Sequence, residues 1–364
     1  MSPAAPPADD ARRPLPAPPL ALHLVGSVPP AVGGDPDRAM SWLLDHSAGA
    51  TLTALPFEPD SRWIIDWLDQ LVHVDALEQV RPGASRGYDD IPSHRIRPGH
   101  ELNPHDLALG RHQHTADAIA AHDRLAAARP VPARVQVSVP NSLDRAMFAA
   151  GSPAAAHQWM PAMQKSLISE VVDLVDTWGE RLQLQLESPA ILASYHHTPR
   201  EEWPALTTQL VHQVAEVLSA ASRASWILHL CYGDLEHQPL FTPTDLDAAV
   251  LFLNALNTAL VSQDQPMPPV HIPMCHGNAE PPTDPQFYRS LKNLQDGISV
   301  IPGIVAENHP SATAIAAQIA ISTLGSRVVA LGAACGLGRR SPYAAAANMH
   351  LATELVTTRQ LITP

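Results

Sequence analysis

The sequence predicts an α/β fold: a single (β/α)8 TIM barrel preceded by a disordered tail rich in proline and alanine. Three observations carry that expectation. Eight short β-like runs recur between residues 21 and 333, each followed by a helix-compatible segment. Strand–helix alternation repeated eight times within one domain's length is the pattern of this barrel. The first run leads into Gly26-Ser27-Val28-Pro29-Pro30, which is not the glycine-rich fingerprint that a doubly wound open sheet would want there.

From the amino terminus, MSPAAPPADDARRPLPAPPL (1–20) is rich in proline and alanine and has no continuous apolar stretch. It reads as a disordered or extended tail and not as a signal peptide. Residues 21–364 then make one domain. The β-like runs are ALHLVGS (21–27), TLTALPF (51–57), RVQVSVP (134–140), LQLQLES (182–188), WILHLCY (226–232), PVHIPMC (269–275), SVIPGIV (299–305) and RVVALGA (327–333). Between them, HTADAIAAHDRLAAA and ATAIAAQIAISTL carry apolar residues at helical spacing. Thr242-Pro243 signals a helix start before TDLDAAVLFLNALNTAL, and His309-Pro310-Ser311 signals another.

Composition narrows the function classes. Of 364 residues, 45% are hydrophobic and 16% charged, so a sizeable core is expected. The formal net charge is −13 and the only lysines are Lys165 and Lys292, which argues against nucleic acid and against a membrane surface. No run of about 18 apolar residues is present to span a bilayer. Three cysteines far apart make no disulfide framework, so a reducing, cytoplasmic setting is expected, with a homodimer as the assembly left open.

The chemistry-bearing stretch is WILHLCYGDL (226–235). Side chains two apart on a strand point the same way, so His229 and Cys231 project together from its carboxyl end. An imidazole and a thiolate converging on one point suit zinc, whereas a lone buried cysteine is usually a small apolar filler. All three cysteines fall at one rim: Cys231 and Cys275 end the fifth and sixth runs, and Cys335 follows the eighth. Reactive groups of such barrels sit on that rim, and random fillers would scatter, which favours a metal.

HLCYGD (229–234), PGIVAENHPS (302–311) and ACGLGRR (334–340) resemble the catalytic barrel of cobalamin-independent methionine synthase and its short single-barrel relatives. VGSVP (25–29) is similar to that family's Gly-Ser-Phe-Pro segment and QLESPA (185–190) to its Gln-Ile-Asp-Glu-Pro-Ala segment, so the resemblance spans most of the chain from residue 21. It implies a catalytic Zn2+ held by His229, Cys231 and Cys335. The family's fourth ligand, a glutamate on the sixth strand, has no counterpart in PVHIPMC. Either Cys275 or His276 replaces it, or three protein ligands leave an exchangeable position; a metal-free reactive thiol at Cys275 is the equal alternative.

The implied reaction is alkyl transfer to a small-molecule thiol that zinc holds as thiolate, in the first instance methyl transfer from an alkyl donor, or else addition of the thiol to an epoxide as in a related branch of the family. The family's synthase is a double barrel, and a chain with one barrel and few lysines is expected not to use a polyglutamylated folate donor. The resemblance aligns Ser27 and Glu187 with substrate contacts; the plain alternatives are a turn serine and a solvated carboxylate. Glu58, in FEPDSRW, is a candidate for an ammonium group. Asp234 is a candidate to orient His229 through its second nitrogen, or only shapes the turn after Tyr232-Gly233. Arg339 and Arg340 are candidates for a carboxylate or phosphonate, or are salt-bridged. Glu307 and His309 are candidate acid–base groups at the same rim. A zinc-independent barrel related to uroporphyrinogen decarboxylase, or a non-catalytic one, is the alternative reading; the His229, Cys231 and Cys335 set argues against it.

Overall fold

A computed structural model of the chain describes residues 20–47, 49–58 and 61–357. The expected tail over residues 1–20 lies outside the described residues apart from Leu20. The strands are β1 (Ala21–Leu22), β2 (Leu55–Pro56), β3 (Leu77–Arg81), β4 (Ser93–Ile96), β5 (Val135–Pro140), β6 (Leu182–Ser188), β7 (Ser225–Leu230), β8 (Val270–Pro273), β9 (Val300–Gly303) and β10 (Ala330–Leu331). Each of the eight runs read from sequence overlaps one of them.

Six strands form a parallel, curled sheet in the order β2-β5-β6-β7-β8-β9, and β1 pairs in parallel with β10. Parallel bridges Leu22–Leu52, Val300–Val328 and Gly303–Gly332 connect that pair to the chain at both edges of the sheet. Helices over Pro36–His46, Arg111–Ala126, Met160–Trp178, Trp203–Ala220, Asp247–Val261 and Pro310–Leu324 lie between successive parallel strands, and Pro342–Thr357 follows β10. No helix among the described residues is long and apolar enough to cross a membrane.

The alternation in LQLQLES decides what each face of β6 meets. Leu182, Leu184 and Leu186 pack with Leu167, Val171 and Leu174 of one flanking helix and Leu210 and Val214 of the next. Each such leucine contributes about 1.5–3 kcal/mol on burial. Gln183 and Gln185 point the other way and are buried too. They are satisfied by one another's neighbours: Gln183 Nε2 donates to Gln136 Oε1 at 2.9 Å, and Gln185 Nε2 to the Val25 carbonyl at 2.6 Å. An unpaired buried amide would cost about 1–3 kcal/mol, so this interior layer must be fully bonded to be tolerated. The next residues up the same face are the site. Parallel register sets Glu187 beside His229, and His229 beside His271.

Three local departures from the sequence reading have physical causes. The helix expected after Thr242-Pro243 begins at Asp247, where Asp245 Oδ1 accepts from the Asp247 backbone N–H at 2.9 Å. The β8-to-β9 crossover carries only a 3-10 turn, Arg289–Asn293; Pro281, Pro282 and Pro285 ahead of it lack the N–H that a longer helix needs. Between β2 and β5, β3 and β4 form an antiparallel hairpin that the sequence does not announce, because its Glu78, Gln79 and Arg81 break any apolar alternation. That insertion buries Ile65, Leu68, Leu71, Leu77 and Ile91 in a second apolar cluster with Ala146 and Trp159. It covers the mouth of the sheet.

Candidate metal centre

His229, Cys231 and Cys335 meet: one ligand atom from each lies within 4.8 Å of those of the other two. β7 carries His229 and runs directly into Cys231 at i+2, and the segment after β10 delivers Cys335. His229 and Cys231 are buried and Cys335 half-buried. Cys231 Sγ accepts from the Gly233 backbone N–H at 3.2 Å. The Cys335 thiol is held well above its ordinary range by a hydrogen bond with Cys231 and by burial. A cation beside the Cys335 sulfur would favour its thiolate. The donor set, two sulfurs and one imidazole, fits a soft, tetrahedral divalent metal and suits neither calcium nor magnesium.

His229 is held from behind. Its Nδ1 lies 2.8 Å from Nδ1 of His271, whose Nε2 lies 3.0 Å from the Ala333 carbonyl oxygen. Burial pushes the His229 imidazole well below its ordinary value and that of His271 down to about 4. Neither ring has a carboxylate partner among the ion pairs of the described residues. His23 closes the layer, with Nε2 at 3.0 Å from Gln185 Oε1 and Nδ1 at 2.9 Å from Thr53 Oγ1.

The three ligand candidates line a cavity of about 160 Å3 together with Ser27, Glu58, Glu187 and Asp234. Ser27 is locked to the Cys335 segment: its carbonyl accepts from Leu337 N–H at 2.8 Å and its hydroxyl from Gly338 N–H at 3.3 Å. A Cβ at Gly338 would stand 2.6 Å from that hydroxyl, so glycine is required for the close approach. Glu187 accepts from Gln185 Nε2 at 2.7 Å, and burial raises its carboxyl above the usual range. Glu58 forms a buried ion pair with Arg111, so its charge is already matched.

The remaining candidates stand apart. Asp234 does not reach the second nitrogen of His229, which His271 occupies; it faces His237 at 3.4 Å and Arg339 at 3.5 Å. Cys275 is buried outside the three-residue group, with Sγ 3.8 Å from the Gly303 carbonyl and its pKa pushed up to about 12 by burial. His276 is also outside that group. Glu307 lies in a buried ion pair with Arg340 at 3.0 Å and accepts from Asn348 Nδ2 at 2.9 Å. Arg340 in turn donates to the carbonyl of Gly336, next to Cys335, so this pair braces the loop that carries Cys335. His309 faces Glu280 at 3.8 Å. Sequence reading passed over His271 and His23. Each was visible as a histidine inside a strand run, but only the register between strands brings them behind the site.

No family model matches the chain, and no curated protein matches its sequence. Solved structures do match. The chain is similar to a B12-independent methionine synthase from a Shewanella species, at 12% identity and a TM-score of 0.55, over 93% of this chain and 97% of that one. It is also similar to a methyltransferase from Methanosarcina mazei, at 12% identity and a TM-score of 0.50, over 93% of this chain and 94% of that one. These structural neighbours are thus, by name, a B12-independent methionine synthase and a methyltransferase. At that identity the likeness is one of fold.

Proposed function

We propose that this chain is a zinc-dependent alkyltransferase, in the first instance a methyltransferase, that acts on a small thiol. The observation that carries the proposal is the convergence of His229, Cys231 and Cys335 on one cavity, in a fold similar to methionine synthase-type methyltransferases. Residues 21–364 act as one catalytic (β/α)8 domain; the parallel bridges on both sides of β1 and β10 support closure of the sheet. Zinc, when bound, supplies the charge that keeps a substrate thiol ionised at neutral pH, where a free thiol with pKa of about 8.5 is mostly protonated.

The chain's own residues do the rest. His229, Cys231 and Cys335 would hold the metal, with Cys275 outside the ligand set. Ser27 and Glu187 bind the polar end of the thiol substrate. Glu58 assists through its pair with Arg111. Asp234, which lines the cavity beside His237, accepts the thiol proton. Glu307 acts from behind by holding Arg340 against the Cys335 loop, and His309 is the acid–base candidate at the rim. The cavity walls exclude bulk water from the nucleophile. A reducing compartment such as the cytoplasm would keep both ligand thiols available.

Protein purified under reducing, chelator-free conditions should carry about one zinc per chain, as one catalytic site requires. Product analysis by mass spectrometry with methyl-folate, methylcobalamin and simple epoxides against a panel of thiols then tests the reaction. The absence of stoichiometric metal would reject the proposal, and efficient turnover with methyl-folate would reject only the expectation about the donor.

A further inference from the structure

We infer that His271 is a positioning residue for the metal centre: it fixes His229 as the Nδ1–H tautomer and leaves the Nε2 lone pair of His229 for the metal. The inference deepens the zinc reading above and rests on it. It follows from donor and acceptor accounting along one line of groups. The Ala333 carbonyl can only accept, so the 3.0 Å contact requires a proton on His271 Nε2. The Leu230 carbonyl also faces the ring, but the 3.0 Å contact to Ala333 is the one with hydrogen-bond geometry, so the single proton of a neutral imidazole sits on Nε2 and His271 Nδ1 accepts. The 2.8 Å contact between the two Nδ1 atoms then requires His229 to donate. What remains on His229 is an unprotonated Nε2, the form that a metal takes. The opposite assignment would set the bare Nε2 of His271 against a carbonyl oxygen at 3.0 Å, two lone pairs facing each other.

The surroundings hold this line in place. His271 is completely buried. A Cβ at Gly303 would stand 2.6 Å from its Cε1, and one at Gly332 would stand 2.8 Å from the His23 carbonyl oxygen and 3.7 Å from His271 Nε2. Gly303 therefore makes room for the His271 ring, and Gly332 for the His23 backbone beside it. The accepting carbonyl belongs to Ala333, two residues before Cys335. Docking of that segment thus delivers one ligand as a thiol and sets the tautomer of another. The two events are coupled through His271, so the centre should assemble as a unit.

Two substitutions separate the hydrogen bond from packing. His271→Leu fills space without an acceptor, while His271→Asn keeps an oxygen able to accept from His229 Nδ1–H. Zinc affinity, measured by competition with a chromophoric chelator, should fall about 10–100-fold in His271→Leu, the usual effect of losing such a partner. His271→Asn should recover most of that loss. Cobalt-substituted protein should keep its thiolate-to-metal absorption in the asparagine variant and show a perturbed spectrum in the leucine variant. Nitrogen-15 spectra of reduced, metal-free wild type should show His229 protonated at Nδ1 and bare at Nε2, a result independent of either variant's folding. Equal affinity in the leucine variant and wild type, equal losses in both variants, or an Nε2–H tautomer in the metal-free protein would each overturn the inference. Failure of the wild type to bind zinc at all would instead reject the zinc reading, while the nitrogen-15 spectra would still decide the tautomer.

Discussion

Replacing Gly303 with alanine tests the packing behind the candidate metal centre directly. Gly303 ends β9, and a Cβ there would lie 2.6 Å from His271 Cε1, 2.7 Å from His271 Nε2 and 3.2 Å from the Ala334 Cα. Ordinary contacts begin near 3.4 Å, so several ångström-tenths must be found on two sides at once. The imidazole has nowhere to go, since it is bonded to His229 on one side and to the Ala333 carbonyl on the other. Overpacking of this kind costs about 1–3 kcal/mol. If the ring tips and loses its bond to Ala333, about 1 kcal/mol is added. The stiffer unfolded chain returns about 0.4–1 kcal/mol. The net expectation is a destabilisation of about 1–3 kcal/mol, the last two effects nearly offsetting. Equilibrium denaturation in urea, followed by circular dichroism, reads it. Gly26→Ala is the control, because its Cβ would meet nothing nearer than Ser138 Oγ at 3.6 Å. A Gly303→Ala protein as stable as that control would refute the reasoning, because His271 would then not be confined.

Further expectations concern charge and ligands. Cys231→Ser should lose zinc and activity while far-UV circular dichroism stays nearly unchanged, since the sheet and its leucine face do not involve that sulfur; a collapse of the spectrum would contradict this. Glu307→Ala should cost about 3–5 kcal/mol in denaturation experiments, because it strips the buried Arg340 of its carboxylate, and should also weaken zinc binding by loosening the loop that carries Cys335. Burial raises the Asp144 carboxyl to about 7, against hydrogen bonds from Ser188 and from the Ala190 N–H. The unfolded chain releases that proton near pH 4, so between about pH 4 and 7 the folded state holds a proton that the unfolded state has lost. The stabilisation is therefore full below about pH 4 and is lost as the pH rises through about 7. Asp144→Asn should remove that slope; identical pH–stability curves would show that the group does not titrate as stated.

How the fold was legible follows from where its signals lie. Runs such as LQLQLES and RVQVSVP announce strands because alternation at period two is a property of a few consecutive residues. The β3–β4 hairpin carries no such signal, and charged residues at Glu78 and Arg81 hide it. The prolines between β8 and β9 were present in the sequence, and their consequence, a 3-10 turn in place of a crossover helix, is a matter of missing N–H donors. Alternation also left open which face of β6 meets the helices. Only the folded sheet shows leucine outward and glutamine inward, because the interior layer is stabilised by partners on other strands and at distant carbonyls.

The same division runs through the site. By itself the sequence determined that His229 and Cys231 project together, since a strand's geometry turns residues i and i+2 to one side whatever surrounds them. That Cys335 joins them was implied only by the family resemblance, and only the tertiary structure decided that Cys275 does not. It also decided that the second nitrogen of His229 goes to His271 and not to Asp234, and that Arg111 and Arg340 already match the charges of Glu58 and Glu307. These partners are brought together by parallel register and loop docking between segments far apart in the chain. Such contacts are set by which strands pair and how far one slides along the next, and no local spacing encodes that.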